Sequence, residues 1–155
     1  MLWPAKPKRV FAQLRGNVWP ADCDDFARLC IDFDNGAAGL VEINTTTTRP
    51  LPRWHLDGTA GSADSPFSLE FSLAKWAELD WTSAKSGKVE RLPLGSGALS
   101  ETEIWEQFAS AIRGQSPPAV DARSVLCTMA LLDAARQSSR EGRAIDVEDM
   151  VDWIY

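Results

Sequence analysis

Residues 25–46 carry the pattern that most restricts how this chain can fold. In Asp25–Phe33 apolar side chains recur at every second position, and the same period returns in Ala38–Thr46. A period of two places alternate side chains on opposite faces of a β-strand. Asp34-Asn35-Gly36 separates the two runs, and Asn and Gly tolerate the positive φ angles of a tight turn. The segment therefore predicts a β-hairpin.

Further short strands are predicted on either side of the hairpin. They are Val10–Arg15, Arg53–Asp57, Phe67–Leu73, Ala77–Thr82 and Lys88–Leu94, with a short final segment at Ala144–Val147. Six or seven strands joined by short connections predict a mainly antiparallel sheet.

Two helices are predicted after the main run of strands. Ser100 begins the first, Glu103 completes a capping box, and Gly114 ends it. Asp121 begins the second and Gly142 ends it. The apolar stripes expected to face the core are Ile104, Trp105, Phe108, Ala111 and Ile112 in the first helix, and Val125, Leu126, Met129, Leu132 and Ala135 in the second. Strands followed by helices predict an α+β fold, an open sheet with two main helices on one face.

Charge and composition exclude several functional classes. The 155 residues suffice for a single domain, and the net charge of -6 disfavours nucleic acid as a partner. No apolar run is long enough to span a membrane, and no signal peptide is visible. Cys23, Cys30 and Cys127 are too few for a disulfide framework and lack zinc-ligand spacing, so we expect plain thiols in the cytoplasm.

Few residues are candidates for catalysis. His55 is the single histidine, and no nucleophile or metal partner accompanies it locally, which favours a structural role over that of a general base. The acidic residues Asp22, Asp24 and Asp25 are interpreted as a solvated turn at the entrance of a strand rather than a hydrolytic pair.

Two glycine-rich segments resemble phosphate-binding loops only weakly. Gly95–Ser100 precedes a helix, but it has serine in place of the third glycine, and Pro93 is unsuited to a central parallel strand. Gly58–Gly61 lacks the Lys-Ser/Thr ending of a P-loop. A linker and a hairpin turn explain them better.

Three blocks of sequence together resemble the C-terminal domain of the glucose–fructose oxidoreductase / inositol dehydrogenase / rhizopine catabolism (Gfo/Idh/MocA) family. Phe33–Gly36 matches the Phe-x-Asn-Gly end of a family strand, and Gly58–Ser62 matches Gly-Thr-x-Gly-Ser. The third block comprises Phe108–Gly114, Pro117-Pro118, Leu132–Ser138 and Glu141–Ile145. The resemblance covers about residues 7–147. It implies an open antiparallel sheet whose free face commonly packs against a second subunit, and hence a homodimer or higher homo-oligomer.

The same resemblance implies that essential parts of the family's enzymes lie outside this chain. The family's N-terminal Rossmann domain, its Glu-Lys-Pro lysine and its Asp/His motif match no positions here. We therefore expect residues 1–155 to form a single C-terminal domain of a larger oxidoreductase, inactive alone, with no catalytic, cofactor-binding or metal-binding residues of its own. The parent is expected to use NAD or NADP and to act on a sugar, inositol or related polyol.

Substrate contacts are expected on the loop Thr45–Arg53. In the family the corresponding loop comes near the ligand, and Arg49 and Arg53 can donate several hydrogen bonds to hydroxyls or a carboxylate. Thr47 adds a short hydroxyl. The alternative is a plain solvated loop. A different function also stays open: a stand-alone, non-catalytic carbohydrate- or protein-binding module that uses some of the seven tryptophans.

Overall fold

The computed structural model describes residues 5–16, 18, 23–66, 78–92, 100–120 and 122–147. Within these residues it has eight strands and two helices, which confirms the α+β class. The strands are β1 (Pro7–Arg15), β2 (Phe26–Phe33), β3 (Ala38–Asn44), β4 (His55–Gly58), β5 (Gly61–Asp64), β6 (Leu79–Ser83), β7 (Val89–Leu92) and β8 (Ile145–Asp146). The helices are α1 (Glu101–Ile112) and α2 (Ala122–Glu141).

The chain forms two compact units. Unit 1 consists of Met1–Thr47 and Ala119–Tyr155, and unit 2 is Thr48–Pro118. The described strands pair as two antiparallel four-stranded sheets, β3-β2-β1-β8 in unit 1 and β4-β5-β6-β7 in unit 2. The single sheet of six or seven strands is not confirmed. The strand expected at Phe67–Leu73 lies outside the described residues, as do Asp121 and the segment 93–99.

The hairpin of unit 1 is confirmed. β2 and β3 pair antiparallel, with Leu29 opposite Val41 and Cys30 opposite Leu40. Gly36 has φ of 82°, a left-handed conformation that favours glycine. The Asn35 side-chain oxygen accepts the N–H of Ala37 at 3.0 Å, which closes the turn.

One face of the unit 1 sheet packs against α2. The core consists of Val10, Ala12, Leu29, Ile31, Ala134, Ala135, Ile145 and Val147. The helix approaches closely because the side chains it turns to the sheet are small: Ala134, Ala135 and Ser138 are at most 2% exposed. The prediction that the apolar stripe of this helix faces the core is therefore wrong for every member except Ala135. Its large members, Val125, Leu126, Met129 and Leu132, are between 38% and 46% exposed.

In unit 2 a glycine permits the tight pairing of β5 with β6. Gly61 has φ of 153°, and a Cβ there would lie 2.1 Å from the carbonyl oxygen of Thr82 and 2.7 Å from the Trp81 ring. No side chain larger than hydrogen fits this position. Gly58 and Gly61 face each other at the ends of β4 and β5, so the predicted hairpin turn is confirmed.

Helix α1 begins as the sequence predicts. Glu103 N–H donates to Ser100 Oγ at 3.3 Å, and the Glu103 carboxylate accepts the Ser100 N–H at 2.7 Å. Gly114 follows the helix with φ of 69°. The expectation that Trp105 lies in a core is wrong, because its side chain is 63% exposed and α1 has no buried residue. Periodicity identifies an apolar helix face but not what covers it.

Candidate functional site

The residues expected to contact substrate lie on an exposed loop between β3 and β4. Thr47, Arg49 and Arg53 are all exposed, as is every residue from Thr45 to Gly58. Thr47 belongs to unit 1, and the two arginines belong to unit 2. Arginine side chains on an exposed loop can present planar sets of N–H donors to oxygen-rich ligands.

The first end of this loop is fixed by Asp25, a residue that is only 3% exposed. Its carbonyl oxygen accepts the N–H of Thr45 at 3.0 Å and the Thr45 hydroxyl at 3.1 Å. Its carboxylate accepts the N–H of Val18 at 2.6 Å. The interpretation of Asp25 as part of a solvated turn is therefore wrong. A buried carboxylate needs such donors, and they come from segments that sequence spacing does not bring together.

The second end is fixed by Ser65, which is also 3% exposed. Ser65 Oγ accepts the N–H of Trp54 at 2.9 Å, and the Ser65 N–H donates to the Trp54 carbonyl at 2.9 Å. Sequence reasoning did not single out Ser65. The segment from Thr46 to Arg53 is thus held at both ends by buried polar residues and is open to solvent between them.

His55 directly follows this loop and lies between two carboxylates. Its Nε2 is 2.9 Å from Asp57 Oδ2, and its Nδ1 contacts Asp64 Oδ1. Ser62 Oγ donates to the other Asp57 oxygen at 2.6 Å. Hydrogen bonds to Asp64 and then Asp57 raise the pKa of His55 above its usual 6.5, because both partners favour the imidazolium form.

This arrangement suits an ion cluster better than a catalytic base. A general base needs a ring nitrogen directed at the proton it removes, whereas both nitrogens of His55 face carboxylates. The serine bonds to Asp57 rather than to the histidine, so the three residues do not form a nucleophile–base pair. The geometry favours the structural role expected from the sequence.

The histidine is one end of a polar row across the unit 2 sheet. Asp64 lies opposite His55 on the neighbouring strand, Asp80 lies opposite Asp64, and Arg91 lies opposite Asp80. Arg91 binds both oxygens of Asp80 and also donates to Glu78 at 2.9 Å. Cross-strand neighbours of opposite charge, here His55 with Asp64 and Asp80 with Arg91, stabilise a sheet modestly, whereas the like-charged pair Asp64 and Asp80 between them opposes this.

Other sites considered from the sequence receive no geometric support. Among the described residues, no group of three or more His, Cys, Asp or Glu side chains is arranged to hold a metal ion. Cys23 and Cys30 are free, exposed thiols. Gly95–Ala98 lies outside the described part of the chain. Neither helix in that part has the length and apolar character needed to cross a bilayer.

Comparison with known proteins supports the family resemblance. A family model described as "GFO/IDH/MocA C-terminal domain" matches residues 1–64, which confirms the resemblance drawn from the sequence. This match includes the unit 1 hairpin, the loop Thr45–Arg53 and the glycines at Gly58 and Gly61.

Two curated relatives and one solved structure illustrate the extent of the similarity. D-apiose dehydrogenase from Rhizobium rhizogenes is 26% identical over 162 residues, which is 95% of this chain and 43% of that protein. Dihydroorotate dehydrogenase (quinone) from Sphingopyxis alaskensis is 30% identical over 105 residues, 67% of this chain and 27% of that protein. An NAD-binding protein from Listeria innocua superposes with a TM-score of 0.71 at 24% identity, over 95% of this chain and 43% of that chain. The chain therefore spans less than half the length of each.

Proposed function

Since this chain carries a C-terminal domain of the Gfo/Idh/MocA oxidoreductase family, we propose that it shapes the substrate site and mediates oligomerisation in a larger NAD(P)-dependent enzyme. Residues 1–155 act as one C-terminal domain of that parent. The cofactor site and the catalytic residues lie in a Rossmann domain that precedes it. The chain alone is inactive.

The observation that supports this proposal best is the share of the relatives that the chain matches. It matches 43% of D-apiose dehydrogenase and 43% of the Listeria NAD-binding protein, while 95% of its own length is used in both cases. More than half of each relative therefore has no counterpart here. Because the matching family model is that of a C-terminal domain, the remainder is proposed to lie ahead of it.

We propose a sugar or related polyol as the substrate of the parent. D-apiose dehydrogenase, whose name specifies a sugar, aligns with nearly the whole chain. The match to dihydroorotate dehydrogenase (quinone) names a different substrate but covers less of both proteins. The exposed loop between the anchors Asp25 and Ser65 offers Arg49, Arg53 and Thr47 as donors to substrate hydroxyls.

The second proposed role is self-association through the face of the unit 1 sheet opposite α2. Phe11, Cys30 and Leu40 form a row across this face, and Leu40 is 62% exposed. Ion pairs lie on both sides of the row, Arg9 with Asp32 at 2.7 Å and Arg28 with Glu42 at 2.6 Å. An apolar centre between charged pairs is typical of a subunit interface with a polar rim.

The alternative function is that of a stand-alone module that binds carbohydrate or protein through tryptophans. Trp54 is 50% exposed and Trp105 is 63% exposed, and flat aromatic rings can stack on sugars. For either function the cytoplasm is the proposed compartment, because the exposed free thiols of Cys23 and Cys30 suit a reducing environment.

Calorimetric titration with NADH and NADPH distinguishes these functions. The complete protein encoded by the gene is expected to bind one of them saturably at micromolar concentration, and the 155-residue chain is expected to bind neither. Binding by the chain alone, or by neither protein, would contradict the proposal. Quenching of tryptophan fluorescence by sugars in the chain alone would favour the alternative.

A further inference from the structure

The turn of the β2–β3 hairpin contains an Asn-Gly pair, whose chemistry goes beyond its role in the turn. Asn35 is followed directly by Gly36 at the tip of the hairpin. The backbone nitrogen of the residue after an asparagine can attack the side-chain carboxamide carbon, and a glycine has no side chain to hinder that approach. Asparagine is among the thermolabile residues of proteins. The pair is therefore a candidate site of covalent modification.

In the folded hairpin both reacting groups take part in hydrogen bonds. The Gly36 N–H donates to the Phe33 carbonyl at 3.1 Å, and Asn35 Oδ1 accepts the N–H of Ala37 at 3.0 Å. Attack requires the Gly36 nitrogen to give up its proton, and a backbone carbonyl that accepts a hydrogen bond does not remove that proton. The bond to Phe33 also fixes the direction of the nitrogen. The turn therefore has to open before the reaction can begin.

Bonds to the start of the chain hold the same turn closed. The Asp34 N–H donates to the Lys6 carbonyl at 3.0 Å, and the Lys6 N–H donates to Asp34 Oδ1 at 3.0 Å. The Phe33 N–H donates to the Ala37 carbonyl at 2.9 Å. Opening breaks bonds on both sides of the Asn-Gly pair, and such local openings have a free-energy cost. The folded hairpin thus limits the time during which Gly36 can react.

We propose that Asn35 is a self-modification site whose reaction is gated by opening of the hairpin turn. This inference goes beyond the proposed function and does not depend on it. In the open turn, water or hydroxide removes the Gly36 proton, and the nitrogen attacks Asn35 Cγ. The new N–Cγ bond closes a succinimide ring as the Cγ–Nδ2 bond breaks, and Nδ2 takes up a proton and leaves as ammonia. Water then adds to one ring carbonyl and breaks its C–N bond, which gives aspartate or isoaspartate at position 35.

The isoaspartate product would be a lasting record that the turn has opened. Its main chain runs through the former side-chain carbon, which inserts a methylene group ahead of Gly36. Turn geometry and loop length fix the register of a hairpin, so the lengthened turn does not restore the same bond between Gly36 and Phe33. Either product also adds a negative charge beside Asp34.

Peptide mapping by mass spectrometry compares the reaction in the folded and the unfolded chain. The 155-residue chain is incubated at mildly alkaline pH with and without guanidinium chloride, and the products at position 35 are measured against time. The rate should be at least about tenfold higher in the unfolded chain, where no turn has to open first. Asn44 is the internal control and should react more slowly in the unfolded chain, because the β-branched Thr45 hinders attack. Equal rates at Asn35 in the two states, or no reaction in the unfolded chain, would overturn the proposal.

Asp34→Ala tests the gate itself. It removes the bond from the Lys6 N–H and leaves both reacting residues, Asn35 and Gly36, unchanged. Asp24→Ala makes the same change of charge beyond the other end of β2. Each folded rate is divided by the unfolded rate of the same variant, so that any effect of the new side chain on the chemistry cancels. This ratio should rise several-fold in Asp34→Ala and stay the same in Asp24→Ala. An unaltered ratio in Asp34→Ala would overturn the gating.

Discussion

The side chain of Ser138 takes the place of a neighbouring strand for Ala12. The Ala12 N–H, on a residue only 2% exposed, donates to Ser138 Oγ at 2.9 Å, and this hydroxyl donates in turn to the Arg143 carbonyl at 2.6 Å. Strand β8 pairs with β1 only at Arg9 and Val10. Beyond Val10, the Ser138 hydroxyl accepts the N–H of Ala12 in β1. Without it, this buried N–H would lack a hydrogen-bond partner.

Ser138→Ala is therefore expected to lower the free energy of unfolding by about 1–3 kcal/mol, the cost of leaving a buried N–H unsatisfied. Ser139→Ala is the control, because Ser139 makes the corresponding bond to the less buried Leu14. Urea unfolding of the chain measures both. A loss at Ser138 no larger than that at Ser139 would show that burial does not set the cost.

Gly61→Ala is expected to lower the free energy of unfolding more than Gly58→Ala, a change in the same hairpin. Its Cβ would meet the Thr82 carbonyl at 2.1 Å, and positive φ adds strain, so a loss of more than about 2 kcal/mol follows. Gly58→Ala, whose Cβ would be 3.7 Å from the nearest atom, should cost less than about 1 kcal/mol. Thermal unfolding followed by circular dichroism compares them. Similar losses would contradict the close approach.

The cluster around His55 should make stability depend on pH. Its pKa is raised in the folded chain by Asp64 and Asp57, so its contribution is present below the ordinary value of 6.5 and is lost as pH rises through the raised value. The hydrogen bond from Ser62 is the larger cause, and the interaction with His55 the smaller cause, of a lowered pKa at Asp57. The Asp57 carboxylate therefore stays charged at the pH values at which His55 titrates. His55→Gln should therefore lower the melting temperature more at pH 6 than at pH 9.

Lys88→Gln is the control for this pH dependence. It removes another exposed cation, which is paired with Glu90 at 2.8 Å. Its effect should be the same at both pH values. A His55→Gln effect that is equally constant would mean that the imidazolium contributes nothing.

Self-association through the open face of the unit 1 sheet can be tested on one strand. Leu40→Glu places a charge in the apolar row of that face, whereas Val41→Glu places it on the other face of β3, where Val41 is 43% exposed. Sedimentation velocity at several concentrations should show dimers for the unchanged chain and for Val41→Glu, but monomers for Leu40→Glu. A strictly monomeric unchanged chain would rule the interface out.

Replacing the loop arginines should change the KM for substrate and leave the affinity for cofactor unchanged. In the complete enzyme, Arg49→Ala and Arg53→Ala are each expected to raise KM for substrate about tenfold if a contact of about 1.4 kcal/mol is lost. Cofactor affinity should not change. Lys85→Ala, in the exposed turn between β6 and β7, is the control. Unchanged kinetics in both arginine variants would leave the loop as a solvated connection.

Local features of the fold could be predicted from sequence, because each depends on residues close together in the chain. The hairpin follows from a period of two and from Asn35-Gly36, and the start of α1 follows from Ser100 and Glu103. Burial of a chosen face could not be predicted in the same way. Both sides of α2 are apolar, and the small residues decide which side meets the sheet.

The anchors of the candidate site could not be predicted because their partners depend on strand register. In the sequence, Asp25 cannot be distinguished from an ordinary acidic residue in a turn. Only the folded chain brings the N–H groups of Thr45 and Val18 within hydrogen-bond distance of it. Asp57 lies two residues from His55 and was visible in the sequence, but Asp64 becomes a neighbour only through the pairing of β4 with β5.

The two-segment construction of unit 1 has a consequence for how the chain is made. Ala12 and Ser138 are 126 residues apart, and all of unit 2 is synthesised between them. β3 ends at Asn44 and α2 ends at Glu141, 97 residues later. At about 5–20 residues per second, the β1–β2–β3 sheet therefore waits roughly 5–19 s for the helix that covers it. Unit 2 is one continuous stretch and can complete itself on the ribosome in that interval. During the delay the apolar residues Val10, Leu29 and Ile31 lack the helix that covers them in the folded chain, which leaves the newly made sheet of unit 1 open to aggregation.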